Sequence, residues 1–316
     1  MGASSGGTVS NRTDWLLFVL LSFLWGSSYL FIKIGVDAGL APFTLVTLRL
    51  LTGAVMLGIV VAVARERLPR DPSTYGHLVV MSVLSVALPF SLITWAEQSV
   101  DSALAAILTA PIPLFVILIS AFVLNEAITL NRVAGLVIGL VGVAILVGFD
   151  PADFANGTLI AEVALIGAAI SYAAGGVYAK RTMHGLRPMI PALFQVTFAL
   201  VIAGVLALVF ERQAELGLTP QSLFAVLWLG LLGSGLAYLV FFRLLERWGA
   251  TRTSMVAYLI PVFGIVLGAL VLSEPIDARL LIGTALVIGG IFLVNSRYGS
   301  RPLFARRGQV AEGAER

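Results

Sequence analysis

Of the 316 residues, 59% are hydrophobic and 12% charged, with a mean hydropathy of +1.00, which leaves too little polar surface to cover a water-soluble globule of this size. The expected solvent is therefore lipid, and the net charge of +3 needs no nucleic-acid partner to explain it. Zero cysteines and only two histidines, His77 and His184, exclude disulfides and thiolate metal sites and leave no basis for a histidine metal site; no glycine-rich nucleotide loop occurs, so no cofactor is expected.

Apolar segments near the length that crosses a bilayer, about 20 residues, follow one another along the chain. They run over Trp15–Ile34, Pro42–Ala64, His77–Trp95, Ser102–Val123 and Arg132–Phe149, then Leu159–Tyr178, Pro188–Phe210, Gln221–Phe242, Thr251–Leu272 and Leu280–Asn295. The short breaks carry Pro, Gly, Asn, Asp or charges, as turns do. The reading is an all-α membrane protein of ten transmembrane helices. A β-barrel would alternate polar and apolar residues, and these runs do not. The first segment is read as a retained helix, since no small-residue cleavage site follows it.

Sixteen of the twenty Lys and Arg fall on one side if the N-terminus is inside: Arg12, the group at Arg65, Arg67 and Arg70, Arg132, Lys180, Arg181, Arg187, Arg243, Arg247, Arg252, and five in the tail from Arg297. Positive charge stays cytoplasmic. Both termini are expected in the cytoplasm.

The passage APIPLFVILISAFVLNE (Ala110–Glu126) returns as YLIPVFGIVLGALVLSE (Tyr258–Glu274), with eight of seventeen residues identical at an offset of 148. The same offset pairs Gly135 with Gly283 and Gly142 with Gly290, and near offsets pair Trp25 with Tyr172 and Lys33 with Lys180. The expected organisation is a cytoplasmic segment 1–14, a first repeat 15–149, an outer linker 150–158, a second repeat 159–296 and a basic, polar tail 297–316. Five helices per repeat is odd, so the second half enters the membrane inverted. That layout belongs to secondary transporters, which bind solute near the midplane between halves and alternate its access.

Several residues stand out within this frame. Arg49 lies seven residues into its span, about 10 Å deep at 1.5 Å per residue. An intramembrane guanidinium is by default a functional candidate; it either pairs with Asp37 or Glu162 or binds a solute carboxylate. Trp25, Ser28, Tyr29 and Ile32 share one helix face, and Trp25 is too deep for an interfacial belt. With Phe90, Thr94, Thr109, Tyr172, Tyr238 and Tyr258 they are the expected cavity lining for a small amphipathic solute, rings giving apolar area and hydroxyls giving orientation. Lys33 reads as an interfacial anchor.

Pro113 and Pro261 occupy one repeat position and would each remove a backbone hydrogen bond within a span. They are read as hinges of paired gates, or as prolines that membrane helices tolerate. Glu126 and Glu274 end the fourth and ninth helices. Each could accept amides from the helix that follows, as a structural staple, or take part in gating. Glycines at 135, 139, 142, 283, 289 and 290 permit close helix approach, as scaffold or as the face of a homodimer. No Asp or Glu is expected near a midplane, which weakens proton coupling through a buried acid.

The run WGSSYLFIK (Trp25–Lys33), the PFTLVTLR of Pro42–Arg49, the doubled Pro and Glu passages and the glycine-bearing fifth and tenth helices resemble the EamA-type transporters of the drug/metabolite transporter superfamily. The resemblance covers residues 15 to 296. It implies ten helices in two inverted EamA repeats, and an exporter of amino acids or other small metabolites across a bacterial plasma membrane. An organophosphate or nucleotide-sugar exchanger is the alternative, although phosphate calls for several cavity cations and only Arg49 is deeply embedded. A non-transporting membrane subunit is a further alternative. An intramembrane enzyme is not expected, because the two edge histidines supply no catalytic constellation.

Overall fold

The computed structural model of the protein describes residues 12–123, 129–147, 158–182, 186–187, 189–211, 218–253 and 255–295. Among them every regular element is helical. The helices are α1 (Arg12–Asp37), α2 (Pro42–Val63), α3 (Pro72–Ser82), α4 (Leu88–Ala96), α5 (Ser102–Thr109), α6 (Ile112–Val123), α7 (Leu130–Val147), α8 (Thr158–Thr182), α9 (Met189–Phe210), α10 (Pro220–Leu227), α11 (Ala237–Thr253), α12 (Val256–Leu272) and α13 (Ala278–Asn295).

Two wide π turns, Val83–Ala87 and Trp228–Leu236, join α3 to α4 and α10 to α11. Among the described residues, seven helical stretches are long and apolar enough to cross a membrane: α1, α2, Pro72–Ala96, Ser102–Val123, Thr158–Ala179, α9 and Pro220–Phe241. Shorter apolar helices lie at Leu130–Leu146, Val256–Leu272 and Ala278–Val294. With hydropathy this high, the chain is a multi-pass membrane protein.

Local chemistry sets the starts. Pro42, Pro72 and Pro220 each open a helix, where a missing N–H costs nothing because the first donors have no intrahelical acceptor. Asp71 accepts the Ser73 amide at 3.0 Å, and Thr219 and Ser222 form a reciprocal capping box, satisfying donors that would otherwise be orphaned.

Packing follows the small residues. α2 lies along α9, α7 along α13, α1 along α12, and α8 along α4 and α6. A Cβ on Gly135 would stand 2.5 Å from the Gly290 carbonyl oxygen and one on Gly142 2.9 Å from that of Gly283, so α7 and α13 touch backbone to backbone. Such approach needs glycine on both sides. Gly289, by contrast, faces open space.

The break in the span Ser102–Val123 is not where the repeat placed it. Helix α5 ends at Thr109, Ala110 donates to the Ile107 carbonyl at 3.0 Å, and the chain turns at Ala110–Pro111. Pro113 then sits in the first turn of α6, where its missing donor removes no helical bond. Pro111 makes the interruption, because its nitrogen cannot continue the ladder of α5. Pro261 lies inside the continuous helix α12. The two prolines therefore occupy unlike backbones.

Candidate functional site

Arg49 is brought to the interior by α2, whose start is clamped by Glu211. Its carboxylate accepts the amides of Phe43 and Thr44 at 2.7 Å each and the Thr44 hydroxyl at 2.7 Å. Arg49 is 3% exposed. Its guanidinium carbon stands 4.1 Å above the Phe90 ring of α4, a cation–π contact. Its Nη2 donates to Ser234 Oγ at 3.3 Å, and its Nε has no partner.

The expected carboxylates are engaged elsewhere. Asp37 lies 3.4 Å from Lys33 and Glu162 lies 3.9 Å from Arg279. Among the described residues the buried cation is thus in direct contact with one hydroxyl and one ring and with no carboxylate, a costly state unless an anion completes it.

Most of the other candidates gather around it. Ser28 Oγ and Arg49 Nη2 both lie against Gly233, 3.0 and 3.7 Å from the point where a Cβ would stand. Tyr29, Tyr172 and Tyr238 are near enough to feel the charge of Arg49. Trp25 packs its ring 6.2 Å from Tyr238 and 5.4 Å from Phe241. The Tyr29 hydroxyl meets Thr109 Oγ1 at 2.5 Å, tying α1 to the last residue before the Ala110–Pro111 break. Thr94, one turn beyond Phe90 on α4, is fully buried with an unpartnered hydroxyl.

Tyr258 does not join them. Its hydroxyl donates to the Ile291 carbonyl at 2.9 Å and ties α12 to α13. Glu274 accepts the amides of Ser102 and Ala103 at 2.8 and 3.0 Å, capping α5 instead of the helix that follows it in sequence. Glu126 lies outside the described residues.

Hydropathy reading missed three features. The first is the π turn Trp228–Leu236, which carries Ser234 to Arg49. It comes close because Gly230 has no side chain: a Cβ there would stand 2.7 Å from the Arg49 carbonyl oxygen. The recurrence of a π turn at matched repeat positions could have been suspected only from the glycine run and from Pro89. The second is an apolar cavity of about 410 Å³ between α1, α10 and α12, lined by Phe23, Ser27, Phe31, Phe224 and Trp228 among others and by none of the residues around Arg49.

The third is Glu97, one residue past the span Pro72–Ala96. It is fully buried and neither carboxyl oxygen has a hydrogen-bond partner. Burial, the largest influence, pushes its carboxyl well above the ordinary carboxylate range, with Lys33 acting in the opposite sense. Nothing in WAEQSVD marks it as buried, since the run reads as a polar loop.

A family model described as the EamA-like transporter family matches residues 14–148 and again 159–296. The chain belongs to the EamA-like transporter family. Among similar proteins, an uncharacterized transporter, YoaV, of Bacillus subtilis is 27% identical over 283 residues, covering 90% of this chain and 97% of the relative. A protein described as a probable amino-acid metabolite efflux pump in Escherichia coli is 24% identical, covering 90% and 95%. A crystal structure aligns with a TM-score of 0.65 at 21% identity, covering 89% of this chain and 97% of that one, and carries the fold alone.

Proposed function

We propose that this EamA protein is a secondary transporter that moves a small amphipathic solute bearing a carboxylate, of the amino-acid metabolite class, out of the cell. The observation that carries the reading is Arg49, a buried cation without a carboxylate, set over Phe90 and among Tyr29, Tyr172 and Tyr238. A solute carboxylate would complete its charge and accept bidentate bonds, while the rings take the apolar part. A similar protein of Escherichia coli is described as a probable amino-acid metabolite efflux pump, which agrees in chemical class.

Alternating access between two inverted five-helix halves is the accompanying mechanism. Supporting it are the pairing of α2 with α9 and of α7 with α13, each helix packed on its own repeat counterpart, and the π turns at Val83–Ala87 and Trp228–Leu236, which coincide at the offset of 148. The Lys and Arg asymmetry supports an orientation with both termini in the cytoplasm, and the bacterial plasma membrane is the expected bilayer. Arg49 and Ser28 are buried, so the solute enters only when helices part.

The test is counterflow of L-amino acids and their methyl esters in proteoliposomes containing only the purified protein. Exchange of the free acids and exclusion of the esters is the expected outcome. No flux of any solute, or equal flux of acids and esters, overturns the reading.

A further inference from the structure

Along one face of α4 and its end, Ser91 Oγ, Thr94 Oγ1 and both carboxyl oxygens of Glu97 recur at every third residue, all buried and all without a hydrogen-bond partner. Phe90, which carries the Arg49 guanidinium, begins the same stretch. Buried polar atoms left unsatisfied are rare and call for a reason. Four on one line, running from the cation to a carboxyl, are what a polar track looks like when it is shut.

The surroundings of Glu97 favour its neutral form. Lys33 of α1 spends its ammonium on the Glu97 backbone carbonyl at 2.9 Å and on Asp37 at 3.4 Å, so it does not bond the Glu97 side chain. Glu274, beyond α12, adds a negative charge nearby, and Arg49 of α2 a positive one. Tyr29 of α1 also lies within range of its charge. On α8, which packs along α4, Glu162 is held with Arg279, and Asp101 stands at the start of α5. A carboxylate in that place would have no donor, whereas a protonated acid carries no charge to compensate.

We propose that Glu97 is a proton-binding site linked to the solute site at Arg49, such that a carboxylate bound at Arg49 and a proton bound at Glu97 stabilise one another. The linkage follows from sign. Arg49 alone disfavours the proton on Glu97; an anion on Arg49 cancels that field, and Glu97 then holds its proton more tightly. Reciprocity requires that the protonated acid favour the anion equally. When the proton leaves, it passes to water entering along Thr94 and Ser91 or from the Lys33 end, and the ammonium of Lys33 is the group placed to neutralise the carboxylate left behind.

The proposal rests on the reading of Arg49 as the solute's counter-charge, but its test uses no solute. Infrared titration of the purified full chain follows the protonated-carboxyl band from acid to alkaline pH. The expected result is a band that persists above the ordinary glutamate range, is lost in Glu97→Gln, returns in Glu97→Asp and is unchanged in Glu162→Gln. In Arg49→Met, and equally in Arg49→Gln, the same band should titrate at higher pH, by about tenfold in proton affinity, as expected for one charge removed about 10 Å away, seven residues along the helix from Phe90. A band indifferent to Glu97→Gln, or one titrating identically with and without Arg49, overturns the proposal. Absence of solute flux with this titration intact would instead overturn the transport reading alone.

Discussion

Replacing Arg49 with methionine separates a solute-binding cation from a structural one. In the free protein the guanidinium has one hydrogen bond, to Ser234 at 3.3 Å, and one ring contact, to Phe90 at 4.1 Å. Together these contribute roughly 2 to 4 kcal/mol, against a desolvation cost of several kcal/mol for a buried ion with no counter-charge. Methionine fills similar space without that cost. The melting temperature of Arg49→Met is therefore expected to stay level or rise. For the complex the balance reverses, because removing one member of a buried, hydrogen-bonded charge pair costs about 2 to 5 kcal/mol. At 1.4 kcal/mol per tenfold, that is about 30-fold to about 3,000-fold in affinity for a carboxylate solute. Paired assays decide it: thermal melting in detergent, and calorimetric binding of L-amino acids and their methyl esters. Arg49→Lys should fall between the two, keeping the charge and losing the bidentate fork. A variant that melts far below wild type, together with a wild type indifferent to esterification, would refute the reasoning and make Arg49 a structural hub.

Glu274→Ala should lower stability by about 1 to 3 kcal/mol, since the Ser102 and Ala103 amides at the start of α5 lose a charged acceptor; chemical denaturation measures it, and a level midpoint would mean water caps α5 as well. Gly290→Leu should abolish folded expression, because its Cβ would meet the Gly135 carbonyl at 2.6 Å, while Gly289→Leu, on the open side of the same helix, should express normally. In a chain without native cysteine, single substitutions Asp101→Cys and Arg67→Cys at exposed positions should react with impermeant thiol reagents from outside and only after permeabilisation, respectively. Glu97 predicts a pH effect on stability. Its folded carboxyl is pushed up from the unfolded value of about 4.3, so the folded state binds more protons above that pH, and stability should fall as pH rises through the folded value. Glu97→Gln should flatten that slope in melting curves taken against pH.

Hydropathy alone made the spans legible, because insertion into lipid is a local property: a run of apolar residues of sufficient length needs no partner to be recognised. The repeat was legible for a similar reason, the passage at Ala110–Glu126 returning at Tyr258–Glu274. Arg49 was marked as a candidate by its position in such a run. What the sequence could not determine was pairing. That Arg49 lacks a carboxylate while Asp37 and Glu162 are taken by Lys33 and Arg279 depends on which helices pack together, as does the use of Tyr258 to tie α12 to α13. The break at Pro111 instead of Pro113 escaped repeat logic because Leu259 stands at the matching place, so the symmetry of the sequence is not kept by the backbone. Glu97 looked like a loop acid and is buried, because burial is decided by the helices that close over a residue and not by the residues beside it in the chain. Periodicity and composition report what each segment requires of its surroundings; only the tertiary structure decides which segment supplies it.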